Sequence, residues 1–156
     1  MSNPDFPVFN EEEDITFHSE DIAFNLSNIQ ILSDWLKTII DSNNKKLSFL
    51  NYIFCSDEYL HDINMKYLNH DTLTDVITFP YSDDLIEGDI FISIDRIREN
   101  AVKLNVPFDN ELHRVMVHGL LHLIGLNDKT ENEKKLMTKN ENESLSILNG
   151  MILDKS

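Results

Sequence analysis

Positive charge is what this chain has least of: 13 lysines and arginines stand against 28 aspartates and glutamates, a net charge of −15. A polyanion meets another polyanion only through local positive charge or a bound metal ion, so composition alone counts against a broad nucleic-acid grip. Cysteine is nearly absent. The single Cys55 excludes an intramolecular disulfide, and its apolar setting in "NYIFCS" reads as a buried thiol in a reducing compartment. No segment approaches the ~18 consecutive apolar residues of a membrane span. The opening "MSNPDFPVFNEEED" lacks the basic start and apolar stretch of an export signal. A soluble, cytoplasmic protein with no membrane partner is the expectation. Glycine and proline are scarce, four of each, and 41% of the chain is hydrophobic, which excludes disordered and fibrous classes.

The acidic excess is uneven. Residues 1–21 carry seven acids and no lysine or arginine, whereas residues 88–140 carry eight acids and eight bases. The second region is the one least repulsive to phosphate. With 156 residues the chain has the size of one domain. We read an acidic extension over 1–14, a single domain over 15–150 and a short tail over 151–156.

Within that domain "DITFH" reads as a strand. "SNIQILSDWLKTIIDSNN" reads as a helix with Ile29, Leu32, Leu36, Ile39 and Ile40 on one side and Ser27 as its N-cap. "KLSFLNYIFC" is the best central strand. Ser56 caps a helix over "DEYLHDINMKYL", whose apolar side is expected from Leu60, Ile63, Met65 and Tyr67. "VITFPYS" and "IFISI" read as a hairpin pair joined through the turn "SDDLIEGD". A helix capped by Asp95 follows over "DRIRENAVKLN". Pro107 and Asp109 announce a helix that Gly125 ends, and Thr130 with Glu133 forms a capping box for the last helix. The order of elements predicts an α+β single domain, a small mixed sheet of about four strands covered by about five helices, with a metal site on a central helix.

That helix carries the chemistry. Glu111, Arg114, His118 and His122 recur at three- and four-residue spacing, a polar stripe on an otherwise apolar cylinder. At this spacing the Cβ atoms of His118 and His122 lie about 6 Å apart, so both imidazoles reach one cation. Gly125 can stop the helix and let the chain turn back, and Asp128 follows three residues later. Two histidines and a carboxylate make a legitimate zinc set with the fourth position open to water, which points to catalysis rather than structure. His18, His61, His70 and His113 show no such spacing and read as ordinary surface or hydrogen-bonded histidines.

The stretch His118, Gly119, Leu121, His122, Leu123, Gly125 resembles the signature His-Gly-x-Leu-His-Leu-x-Gly-x-x-His of the YbeY family, single-domain zinc-dependent endoribonucleases of bacterial ribosomal RNA maturation. Upstream, "SDEYLHDINMKYLNHDTLTDVITFP" and "GDIFISIDRIRENA" are similar to further family segments, in the right order. The chain departs from the pattern twice. Asp128 stands where the family has its third histidine, and Leu68 stands where many relatives carry an arginine after "Asn-x-x-Tyr". Another base, Lys66, Arg96 or Arg114, would then have to steady a phosphate.

The resemblance implies hydrolysis of a phosphodiester in single-stranded ribosomal RNA at the small-subunit 3′ end, with one Zn2+ per chain held by His118, His122 and Asp128. The expected partners are ribosomal RNA, the small ribosomal subunit and basic ribosomal proteins. Zinc-bound water would attack; Asp75, in "TDV", is a candidate to orient it, although a loop-to-strand cap is the plainer role for that residue. A metallopeptidase is the first rival, but its motif needs glutamate directly after the first histidine, where Gly119 stands. A zinc-stabilised, non-catalytic ribosome assembly factor is the second.

Overall fold

The structure, a computed structural model, describes residues 14–155. Ten residues rich in aromatic and β-branched side chains form strand β2 (Lys46–Cys55), and it takes the central place, pairing in parallel with β1 (Ile15–Ser19) and with β4 (Leu85–Ser93). Strand β3 (Val76–Pro80) pairs with β4 in the antiparallel sense, as expected of the hairpin. The sheet order is therefore β1-β2-β4-β3, a mixed sheet. Parallel neighbours require crossovers, and α1 (Ile29–Ser42) makes the one between β1 and β2.

Helices α2 (Asp57–Leu68), α3 (Ile94–Leu104), α4 (Phe108–Ile124) and α5 (Glu131–Lys155) complete the α+β domain among the described residues. Alternation on β2 sends Leu50, Tyr52 and Phe54 into the main core, with Trp35, Leu36 and Ile40 of α1 and Leu112, Met116 and Leu120 of α4. The polar ends of the large aromatics are satisfied: Trp35 Nε1 donates to the Ser144 carbonyl (2.8 Å) and the Tyr52 hydroxyl to the Met116 carbonyl (2.8 Å), as burial demands. Cys55 is buried, and burial pushes its thiol up to about 12. No helix among the described residues is long and apolar enough to cross a membrane.

Local signals held where a side chain could reach its backbone partner. Ser56 accepts from the Tyr59 N–H (3.1 Å). Thr130 accepts from the Glu133 N–H (3.1 Å) while Glu133 accepts from the Thr130 N–H (2.9 Å).

Several expectations are corrected. Helix α1 begins after Asn28, in the left-handed region with no side-chain cap bond, so Ser27 is not the cap. Ser93 rather than Asp95 caps α3, accepting from the Arg96 N–H (3.2 Å); Asp95 instead accepts from the Asp57 N–H (2.9 Å), tying α3 to α2. Strand β4 begins at Leu85, so much of the expected turn is strand. Of the residues expected on the inner face of α2, Leu60 is buried and Ile63 packs beside it, but Met65 and Tyr67 are exposed and Asn64 is buried instead. Ile29 is likewise exposed. Residues 151–155, read as a tail, continue α5, with Met151 and Ile152 packed on the core. Of the acidic extension, residues 1–13 lie outside the described residues.

Candidate metal centre

Helix α4 approaches the sheet closely because Gly119 has no side chain. A Cβ there would meet Ile90 Cγ2 at 3.0 Å and Cδ1 at 3.1 Å, and Thr78 Oγ1 at 3.4 Å. The flanking His118 and His122 are thereby carried to the β3 side of the sheet. Gly125 then ends the helix at φ 123°, a conformation costly for any residue with a Cβ. Its N–H bonds back to the carbonyls of Leu121 and His122 (both 3.1 Å). That turn sends Asp128 back over the histidines.

The geometry joins the three expected ligands. His118 Nε2 and His122 Nε2 are 3.0 Å apart, and each lies 3.4 Å from Asp128 Oδ2. A tetrahedral ion with bonds of about 2.0–2.1 Å has ligand-to-ligand edges of about 3.3 Å, so the triangle has the size of one face of such a shell. The far nitrogens fix the tautomers. His122 Nδ1 donates to the Leu126 carbonyl (2.9 Å) and His118 Nδ1 to Glu141 Oε2 (2.6 Å). Both Nε2 lone pairs are left facing the Asp128 carboxylate, a donor set suited to a divalent cation, with the carboxylate–histidine support common behind metal ligands.

Glu141, on α5, escaped the sequence reading. It lies 23 residues from His118, and no local motif announces such a contact. Its other oxygen accepts from Arg114 Nη1 (3.1 Å), and Arg114 also holds the buried Glu111 through Nη2 (2.7 Å) and Nε (2.9 Å). The polar stripe on α4 is thus a partly buried ion network joined to α5, and Arg114, a candidate for substrate contact, is committed to two carboxylates. Arg96 is also committed, to Asp57 (3.0 Å) and Glu99. Burial lowers the pKa of His118, but the Glu141 hydrogen bond and charge, with Asp128 and Asp75, outweigh it and raise the net value.

The triangle opens into a cleft of about 720 Å³ bounded by β3, the loop after α2 and the turn after α4. Asp75 lines it, and so do Leu68, Thr78 and Lys129. Burial raises the Asp75 carboxyl above its usual range against the opposing pull of His118 and Arg114, and its Oδ2 accepts from Asn100 Nδ2 (3.4 Å). The Asp75 carbonyl accepts from the Ser93 N–H (3.0 Å), so the residue both starts the strand and faces the cleft. Of the histidines read as ordinary, His61 bonds Asp71 (2.8 Å), His18 bonds Thr16 (3.0 Å) and His113 packs edge-on against Trp35. His70 lines the cleft.

A family model described as "Endoribonuclease YbeY" matches residues 14–149. Proteins named "Endoribonuclease YbeY" from Amoebophilus asiaticus and Flavobacterium johnsoniae are 51% and 48% identical, over 81% and 85% of this chain and 88% and 96% of theirs. Another from Flavobacterium psychrophilum is 50% identical over 85% of this chain and 95% of its own. The solution structure of a Thermotoga maritima protein superposes with a TM-score of 0.64 at 24% identity, covering 90% of this chain and 93% of that one, a likeness in fold.

Proposed function

The chain belongs to the YbeY family of endoribonucleases, and from that premise we propose that it is a zinc-dependent endoribonuclease that cuts single-stranded RNA during maturation of the small-subunit ribosomal RNA 3′ end. The observation that carries this reading is the triangle of His118, His122 and Asp128, which offers three donors to one ion and leaves its remaining side open to a cleft. A structural zinc site is closed by four protein ligands, whereas a catalytic one keeps a position free. Its partners on this reading are ribosomal RNA and the small ribosomal subunit, with basic ribosomal proteins attracted by the net charge of −15.

Zinc held by His118, His122 and Asp128 would supply a Lewis acid for a phosphoryl oxygen and would lower the pKa of a water toward about 7. The chain's own residues do the rest. His118 and His122 are held in the ligating tautomer by Glu141 and by the Leu126 carbonyl. Asp75, half-buried in the cleft wall, where burial raises its carboxyl above the usual range, would be the carboxylate to take or orient a proton of an attacking water. Gly119, pressed onto Ile90, supplies no general base of the peptidase kind.

The test incubates the protein with a small-subunit ribosomal RNA precursor fragment bearing an unpaired 3′ extension. Wild type should cut within the extension; chelator and His122→Ala should each abolish cutting. Purified protein should carry about one zinc per chain, and Asp128→Ala should lose most of it. Undiminished cleavage in chelator or in His122→Ala would sink the metal mechanism. An intact RNA after incubation with zinc-loaded protein would move the assignment to a non-catalytic assembly factor.

A further inference from the structure

We propose that Lys129 holds a backbone phosphate of the RNA strand in the cleft, doing so from the turn after α4 rather than from α2. The inference rests on the ribonuclease reading and names the residue that lets so acidic a chain hold a polyanion. Among the described residues, Lys129 is the only lysine or arginine lining the cleft that contains the metal ligands. Its side chain is exposed and makes no ion pair with the described residues. The other basic candidates are occupied or elsewhere: Arg96 is bound by Asp57 and Glu99, Arg114 by Glu111 and Glu141, and the Lys66 ammonium lies 5.4 Å from the Tyr67 ring centroid, outside the cleft lining.

The cleft needs such a cation. Asp75 and Asp128 both contribute carboxylates to its wall, so with a dipositive ion bound the fixed charges nearly cancel, and a phosphate entering it meets no net attraction without Lys129. The opposite wall supplies matching donors. The bonds Ser93 N–H to Asp75 O (3.0 Å) and Tyr81 N–H to Glu87 O (2.9 Å), with the antiparallel register, show that odd-numbered residues of this stretch turn their backbones toward β4. The N–H groups of Val76 and Thr78 therefore point to the free edge of the sheet. A single strand lying between that edge and Lys129 passes over the ligand triangle, with hydrogen-bond donors on one side and an ammonium on the other.

The test uses the full, zinc-loaded chain and a short single-stranded RNA. Cleavage kinetics are followed by product formation and binding by fluorescence anisotropy in the cold, before any cutting is detectable, each across a series of salt concentrations. Lys129→Gln should raise KM and weaken binding about tenfold, the worth of one charged hydrogen bond. It should also reduce the slope of log affinity against log salt by about 0.7–1, leave kcat within about twofold and retain zinc. Lys129→Arg should restore most of the loss. Lys37→Gln, beside β1 at the far edge of the sheet, should change nothing. Unchanged KM and salt slope in Lys129→Gln, or a loss that travels with lost zinc, overturns the role of Lys129 while the ribonuclease reading stands. Wild type that neither binds nor cuts the RNA overturns both.

Discussion

Glu141 shows how one side chain can serve two neighbours at once. It takes the Nδ1 proton of His118 on one oxygen and the Arg114 guanidinium on the other, so the orientation of a metal ligand is tied to the packing of α5 on α4. Glu141→Gln keeps the volume and removes the charge. We expect its zinc affinity to fall about 10–100-fold, the usual effect of losing an outer-shell partner, as read by competition with a chromophoric chelator. Unaltered affinity would mean that His118 is oriented without it.

His113 gives a pH dependence at the same scale. Its ring is half-buried against Trp35, and that burial lowers its pKa despite the opposing charge of Asp109. The unfolded chain, with a histidine pKa of about 6.5, then binds a proton over a range where the folded chain does not. Stability from this group is present above about pH 6.5 and is lost as pH falls below it toward the lower folded value. Urea unfolding between pH 7.5 and 5 should show a shallower loss in His113→Gln than in wild type; parallel curves would assign the loss to other groups.

At the scale of elements, α4 and the turn that follows act as one part. Two helical glycines separate packing from propensity. Gly150 has nothing within 4 Å of a Cβ, whereas a Cβ at Gly119 meets Ile90 at 3.0 Å and the core gives it little room. Gly150→Ala should therefore stabilise by up to about 1 kcal/mol, while Gly119→Ala should destabilise by about 1–3 kcal/mol through overpacking. The midpoints of urea denaturation check both. An equal gain in both variants would show that Ile90 moves aside at no cost. Element boundaries were readable where the signal is short-range, as in the Thr130–Glu133 capping box. They were misread where a neighbouring element chose the partner: Ser93 became the cap of α3 because Asp95 was drawn to the Asp57 N–H of α2.

For the whole molecule, the core and the metal site are separable. The core closes from Trp35 and Tyr52 to Met137 and Leu148, and the side chains of His118, His122 and Asp128 lie partly exposed at its margin. Chelation should leave the far-UV circular dichroism at 25 °C intact and lower Tm, since an ion that binds the folded chain alone adds about 2.7 kcal/mol at one hundred times its Kd. Cooperative unfolding on chelation, the behaviour of a zinc finger, would contradict this separation.

What the sequence determined by itself is what depends on spacing along the chain. The four-residue interval of His118 and His122, the helix stop at Gly125 and the periodicities of β2 and α4 are local, and they are enough to give the α+β class and the three residues that could hold a metal ion. Tertiary structure decided which charged groups are free to act. Along the linear chain Arg114 reads as a base free to steady a phosphate and nothing local singles out Lys129; in space Arg114 is bound between Glu111 and Glu141, and Lys129 lines the cleft. The reason is physical: hydrogen-bond and Coulomb partners are set by distance in space, and the decisive ones here, Glu141 for His118 and Asp57 for Arg96, lie 23 and 39 residues away.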